Sequence, residues 1–220
     1  MSQPAFSPKE YDQKIQSVLP YYQEFYRQVV DTVKVLDYPS LSWLDLGCGT
    51  GKMGEAAFSA FAPKRFVFWD QSPEMIAIAK SRFADANAQF VTASLLDLHC
   101  REEFNVITAI QVNHYLPPEE RRKAVANVYQ ALQPGGIFFT FENFAPNSRT
   151  GQQLALKRWG AYQVAQGRSA QQVKGHLARS GKDYFPISLS DHLQLLQDCG
   201  FQTAELLWLS YLQVGLFGIK

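Results

Sequence analysis

Trp43-Leu44-Asp45-Leu46-Gly47-Cys48-Gly49-Thr50-Gly51 is the stretch whose reading decides the fold. An apolar run ends in an acid and then in glycines at every second position, and a helical pattern begins at Lys52. Read as strand, glycine-rich turn and helix, it brings bare backbone N–H groups at a helix N-terminus to a nucleotide-like ligand.

On either side of this turn the chain alternates strand and helix. Residues 41–46 predict the first strand, and residues 52–61 a helix with Met53, Ala56, Ala57, Ala60 and Phe61 turned inward. Residues 65–70 form a nearly continuous apolar run, as a parallel strand covered on both faces requires. Ser72-Pro73-Glu74 opens the next helix with an N-cap serine, a proline at the first position and an acid at the positive helix end. That helix runs through Met75, Ile76, Ile78, Ala79 and Phe83. Residues 89–93 and 104–109 read as strands. A helix opens at Pro117-Pro118 and is ended by Gln133-Pro134-Gly135-Gly136, and residues 137–142 read as a fifth strand. Repeated β-α units imply a parallel sheet with right-handed crossovers. Ligands then lie off the carboxyl ends of the strands. Those ends carry residues 45–51, Asp70-Gln71, Ser94-Leu95, residues 110–115 and Glu142-Asn143.

The flanks differ from this core. Residues 9–37 predict one or two helices, divided by Pro20, with Tyr22, Phe25, Tyr26, Val29, Val30, Val33 and Leu36 at helical spacing. The stripe packs on the core, or its aromatic end at Tyr21 and Tyr22 covers a ligand. Residues 145–182 are polar, Gln-rich and longer than an ordinary connection, and predict two helices inserted over the site. Ser188 or Ser190 caps a last helix, ended by Gly200. Residues 203–209 and 211–219 are strands joined so tightly that they pair antiparallel. The expected organisation is one domain over 1–220: a helical lid at 1–39, a ligand-binding core at 40–144, a helical insertion at 145–186, and a final helix and hairpin at 187–220.

Composition narrows the function classes. With 220 residues, 46% hydrophobic content and a net charge of +1, the chain has a sizeable core and no overall basic footprint for nucleic acid. No apolar run approaches the ~18 residues of a membrane span, and no signal peptide is visible at the start. Cys48, Cys100 and Cys199 are far apart, which suits free thiols in a reducing, cytoplasmic compartment. No His/Cys/Asp/Glu cluster has metal-ligand spacing, so no metal is expected.

Three ligands compete for the glycine turn. Gly49-Thr50-Gly51-Lys52-Met53-Gly54 matches the dinucleotide fingerprint, but the second mononucleotide half is missing. Gly51-Lys52 suggests a P-loop, but Leu46 stands where its first glycine belongs and Met53 where its Ser or Thr belongs. A small nucleoside without phosphate fits better. Asp45 can accept from an ammonium group, and Asp70 can accept both ribose hydroxyls as a bidentate carboxylate.

These residues carry a resemblance to the class I S-adenosylmethionine-dependent methyltransferases. It rests on residues 44–51, on Asp70-Gln71-Ser72-Pro73-Glu74-Met75, on residues 104–116 and on Leu132-Gln133-Pro134-Gly135-Gly136. It implies a Rossmann-like seven-stranded α/β sheet with helices on both faces, an antiparallel terminal hairpin, and S-adenosylmethionine as cofactor. By resemblance, Gly47 and Gly49 admit the methionine part, with Cys48 a small loop residue between them. Asp45 helps hold the amino group and Asp70 takes the ribose. Gln71 and Met75 flank the adenine, and Ser94-Leu95 contact its edge.

A second likeness, to the carboxy-S-adenosylmethionine synthases, covers more of the chain. It rests on Leu19-Pro20-Tyr21-Tyr22, on residues 116–121, on Phe141-Glu142-Asn143-Phe144 and on residues 199–220. It implies that Tyr22 contacts the cofactor and that the chain forms a homodimer. An asparagine of that family falls at Ile110, with Gln111 beside it, and its carboxylate-binding arginine falls in the insertion, nearest Arg179. These departures leave that family's reaction, in the service of tRNA modification, as an alternative.

Methyl transfer from a sulfonium is an in-line displacement that needs a nucleophile held at near-attack distance in a dry site. A general base is needed only if the acceptor must lose a proton. Asn113-His114-Tyr115 falls where the methyl should point. His114 is the candidate base or, with Tyr115, shapes the pocket. Tyr22 and Tyr115 could face the sulfonium as cation–π partners, and Glu142 is a weaker alternative base. The aromatic lid residues suit a small, partly apolar methyl acceptor; a cofactor-binding protein without turnover is the reading from another class.

Overall fold

Strand β1 (Ser42–Leu46) lies at the centre of the sheet, paired in parallel with β2 (Arg65–Asp70) on one side and with β4 (Phe104–Ile110) on the other. This is a computed structural model, and it describes residues 6–220. β3 (Ala88–Thr92) extends one edge beyond β2, and β5 (Leu132–Asn143) pairs in parallel with β4. β7 (Gln213–Ile219) runs antiparallel between β5 and β6 (Thr203–Ser210). The seven strands stand in the order β3-β2-β1-β4-β5-β7-β6, so the order reverses between β1 and β4. A crevice opens at such a reversal, off the carboxyl ends of the two strands.

The sheet is covered on both faces. On one, Trp43, Phe66, Phe68, Val106, Phe139 and Phe141 pack with α2 (Tyr22–Lys34) and α3 (Lys52–Ala60). On the other, Leu44, Leu46, Val67, Ile107 and Phe138 pack with α5 (Pro118–Ala131) and α8 (Leu189–Asp198). Trp43 and Leu44 fall in opposite clusters because successive side chains of a strand alternate faces. Between β2 and β3 runs α4 (Pro73–Arg82), whose N-cap Ser72 accepts the Met75 N–H at 3.3 Å.

Two details differ from the sequence reading. The fifth strand begins at Leu132 rather than at 137, because Leu132 already pairs with Phe104 and residues 133–136 bulge out before Ile137 meets Val106. Pro134 cannot donate to the ladder, and Gly135 takes φ +74°. Ala60 is exposed, because the chain turns extended at Phe61. Pro20 divides the two N-terminal helices as expected, and Tyr21, at φ +55°, turns the chain into α2.

Two elements bridge over the carboxyl ends. α1 (Pro8–Lys14) and a short turn at Ile15–Ser17 precede α2. The insertion forms α6 (Arg149–Ala165) and α7 (Ala170–Leu177). They meet each other: Trp159 Nε1 donates to the Val18 carbonyl and the Tyr162 hydroxyl to the Gln16 carbonyl, both at 2.6 Å. The first five residues of the expected 1–39 lid lie outside the described residues. Among the described residues no helix is long and apolar enough to cross a membrane, and no group of three or more His, Cys, Asp or Glu could hold a metal.

Candidate active site

The glycine turn is shaped by two opposite constraints. At Gly47 (φ +63°) a Cβ would come within 2.4 Å of Val112, so only glycine lets β1 leave the sheet beneath the loop after β4. At Gly49 (φ +54°) a Cβ would meet nothing within 4 Å, because the position faces open space that a ligand can occupy. The Gly47 and Cys48 N–H groups donate to the Trp69 carbonyl at 2.7 and 3.1 Å, which ties the turn to β2.

That open space is a cavity of about 740 Å³ at the β1/β4 reversal. Nine of the sequence-predicted residues line it: Gly47, Gly49, Asp70, Gln71, Met75, Ser94, Leu95, Gln111 and Tyr115. Asp70 is oriented by backbone alone, with Oδ2 accepting the Gly49 N–H at 2.9 Å and Oδ1 the Ser72 N–H at 2.8 Å. Each oxygen keeps a second acceptor site for a ligand hydroxyl. Burial raises the Asp70 carboxyl above its ordinary value, and the two N–H groups oppose the rise. Gln111 is held at φ +60°, with its N–H on the Phe141 carbonyl at 2.7 Å. A non-glycine residue in this conformation is strained, and such residues cluster at binding sites.

The other four sequence-predicted residues do not line the cavity. Asp45 is buried under the turn, where Oδ1 accepts the Thr108 hydroxyl at 2.8 Å and Oδ2 has no partner. Burial pushes its carboxyl up to about 7, with the Asp70 charge adding to the rise and the Thr108 hydrogen bond opposing it. Cys48 is buried, and that burial pushes its thiol up, away from the reactive thiolate. Tyr22 is a correction to the lid reading: it turns into the core, edge-on to Phe25 at 5.8 Å, with its hydroxyl accepting from Tyr26. Its position at the head of the apolar α2 stripe gives the ring that burial.

His114 is the second correction. It is 1% exposed and does not line the cavity. One Glu142 oxygen, Oε2, accepts the His114 backbone N–H and meets ring Nδ1, both at 2.8 Å, which draws the imidazole inward. Asn113–Tyr115 is a 3₁₀ turn, in which neighbouring side chains point about 120° apart, so Tyr115 faces the cavity when His114 does not.

Sequence reasoning missed other wall residues. Tyr11 of α1 lines the cavity, as do Glu120, Lys182, Asp183 and Phe185. Tyr11 lies in a polar helix without an apolar stripe and Phe185 in a loop, so periodicity marks neither. Arg121 was not singled out either. It is 2% exposed, and its guanidinium donates to the carbonyls of Asn113 (3.0 Å), Leu116 (3.2 Å) and Phe185. It thereby staples the turn before α5 to the segment after α7. Arg179, the arginine nearest to a carboxylate-binding position, bonds Asp183 at 2.7 Å and lies close enough to Tyr115 to favour its phenolate, although burial keeps that phenol above its ordinary value.

Comparison with known proteins fits this geometry. Residues 44–136 match the family model described as a methyltransferase domain. The chain is 25% identical over 210 residues to a carboxy-S-adenosyl-L-methionine synthase of Helicobacter hepaticus, covering 91% of this chain and 87% of that protein. It is 24% identical over 205 residues to the synthase of Trichodesmium erythraeum, covering 90% and 79%. Among solved structures, the fold is similar to an S-adenosylmethionine-dependent methyltransferase from Clostridium acetobutylicum, with a TM-score of 0.66, 15% identity and 96% of each chain covered. It is also similar to human N-acetylserotonin methyltransferase in complex with its cofactor, with a TM-score of 0.67, 17% identity, 97% of this chain and 56% of that chain covered.

Proposed function

We propose that this chain, a class I S-adenosylmethionine-dependent methyltransferase by its domain match and its fold, transfers the cofactor's methyl group to a small molecule by in-line displacement. The observation that carries the reading is the pairing of Gly49 with Asp70. The loop leaves open space where a ligand can touch backbone, and the carboxylate beside it is aimed by two backbone N–H groups with acceptor sites to spare.

In this reading Asp70 accepts the ribose hydroxyls, and Gln71, Met75, Ser94 and Leu95 enclose the adenine. Gly47 and Gly49 take the methionine part, and the ammonium approaches the unpartnered Asp45 Oδ2. Tyr115 presents a ring to the sulfonium side. The cavity volume of about 740 Å³ suits a cofactor and a small acceptor together, since such sites occupy roughly 300–1,000 Å³. His114 acts through the turn it anchors rather than by contact. The protein's contribution is alignment in a dry pocket, with the positive sulfur supplying the activation.

The insertion suggests what the acceptor carries. Between 145 and 182 stand Arg149, Lys157, Arg158, Arg168, Lys174, Arg179 and Lys182, with no Asp or Glu, in a chain of net charge +1. Lys182 lines the cavity, on a wall that also carries Glu120 and Asp183. The insertion's surplus of positive charge beside the cleft raises the encounter rate of an oppositely charged substrate, which favours a small anion as the acceptor. Release of S-adenosylhomocysteine across a set of small carboxylates, matched with their neutral amides, tests this. Turnover confined to the anions supports the reading, and turnover of the amides alone overturns it.

A second reading has its own support. Carboxy-S-adenosyl-L-methionine synthases align over most of this chain, and Arg179 lies beside Tyr115. A ligand co-purifying with a mass heavier than S-adenosylmethionine by one carboxylate would select that reaction. The unmodified cofactor, with turnover on an acceptor, would select methyl transfer.

A further inference from the structure

Resting on that assignment of the cavity, we propose that Tyr11 of α1 is a cofactor-contacting wall of the site and that Asp12 is the positioning residue that holds it there. α1 has seven residues; Tyr11 packs partly buried against the core, and no residue of the helix is fully buried. Its polar attachment converges on one carboxylate. Asp12 Oδ1 accepts the Thr50 hydroxyl at 2.6 Å, and Oδ2 accepts from Arg82 Nη2 at 2.6 Å with Lys52 Nζ at 3.7 Å.

All three partners belong to the cofactor machinery's frame. Thr50 is a buried residue of the glycine turn itself, Lys52 opens α3 directly after it, and Arg82 closes the last turn of α4. Arg82 also donates to the Thr50 carbonyl at 2.7 Å and pairs with Glu55 at 3.0 Å. One carboxylate thus fastens α1 to the turn at its side chain, while Arg82 fastens the same turn at its backbone.

Tyr11 is the residue before Asp12, about 100° around the helix. With Asp12 turned to the glycine turn, the Tyr11 ring lines the cavity with Asp70 and Tyr115. Burial, together with the nearby Tyr22, Tyr115, Asp12 and Asp70, pushes the Tyr11 phenol well up. It therefore stays an O–H donor at working pH, beside the carboxylate assigned to the ribose. Tyr11 and Tyr115 form two aromatic walls of one cavity, and a cation between two such rings is favoured on both sides. The lid tyrosine facing the ligand is Tyr11, and Tyr22 is the layer beneath it.

Calorimetry with S-adenosylhomocysteine and with S-adenosylmethionine on the full chain tests this. The expected results are a Kd raised about tenfold or more in Tyr11→Ala and several-fold in Asp12→Asn, with Asp12→Glu partly restoring it and the melting temperature little changed. The Asp12→Asn variant should also lose part of the wild-type dependence of Kd on salt. A merely structural Asp12 would lower the melting temperature without moving the salt dependence. Wild-type affinity in Tyr11→Ala overturns the contact, and wild-type affinity in Asp12→Asn overturns the positioning role. Should Asp12→Asn fail to fold, Thr50→Val removes one arm of the same attachment and is held to the same outcomes. Failure of the wild-type chain to bind either ligand overturns the cavity assignment itself, and this inference with it.

Discussion

The ring Nδ1 of His114 lies 2.8 Å from Glu142 Oε2, and both side chains are buried to within 1%. The Thr140 hydroxyl donates to the other Glu142 oxygen, and Asn143 Nδ2 stands 3.4 Å from His114 Nε2. Burial would raise the Glu142 carboxyl, but the His114 hydrogen bond and charge outweigh it and hold the carboxyl below its ordinary value. This is a closed arrangement that fixes the turn carrying Tyr115. His114→Gln should therefore cost about 1–3 kcal/mol of stability, the scale for leaving a buried polar group without its partner. It should lower turnover without changing the shape of the pH–rate profile. Loss of a limb with an apparent pKa near neutrality would instead make His114 the base.

Arg121 donates to three backbone carbonyls, those of Asn113, Leu116 and Phe185. Burial lowers its guanidinium below the ordinary value, and the nearby Glu142 offsets part of that. Lysine offers one point of donation where the planar fork reaches several. Arg121→Lys should destabilise by about 3 kcal/mol or more, the scale for disrupting a buried charge and its partners. It should also weaken cofactor binding, since the Tyr115 and Phe185 walls are both tied to it. Chemical denaturation with parallel calorimetry checks both. A stable variant with intact affinity would show that the staple is redundant.

Asp45 predicts a proton signature. Its carboxyl, pushed up to about 7 by burial, is largely protonated in the free protein at pH 6. An ammonium group brought to Oδ2 favours the charged form, so binding should release a fraction of a proton at pH 6 and almost none at pH 8.5. Calorimetry in buffers of different ionisation enthalpy measures that number, and Asp45→Asn should abolish it. The sign for stability follows from the same shift. With a folded value above the unfolded one, the protonated carboxyl stabilises the native state at low pH, and that contribution is lost as pH rises from about 4 through 7. Proton uptake on binding, or release unchanged in Asp45→Asn, would contradict this placement.

The parts of the site that backbone geometry dictates were legible in the sequence. Gly47, Gly49 and Asp70 follow from strand, turn and strand, and Gln71, Met75 and Ser94 from their places at strand and helix ends. The parts that depend on side-chain direction were not. The motif Asn113-His114-Tyr115 places three residues together but cannot tell which one a 3₁₀ turn aims at the cavity, and the Glu142 that draws His114 inward comes 28 residues later. Tyr22 stood out because it heads an apolar stripe, and that same stripe buries it. Tyr11 lacked any stripe, and its placement depends on Asp12 meeting Arg82 across 70 residues of chain. Long-range polar pairs of this kind leave no periodicity to read.

Calorimetric titration of S-adenosylmethionine into the wild-type chain and into Asp70→Ala tests the central claim most directly. Removing the carboxylate that the Gly49 and Ser72 N–H groups aim at the cavity should weaken binding by about 1–3 kcal/mol, roughly tenfold or more in Kd, with the fold retained. Equal dissociation constants for the two proteins would place the cofactor's ribose elsewhere and contradict the account.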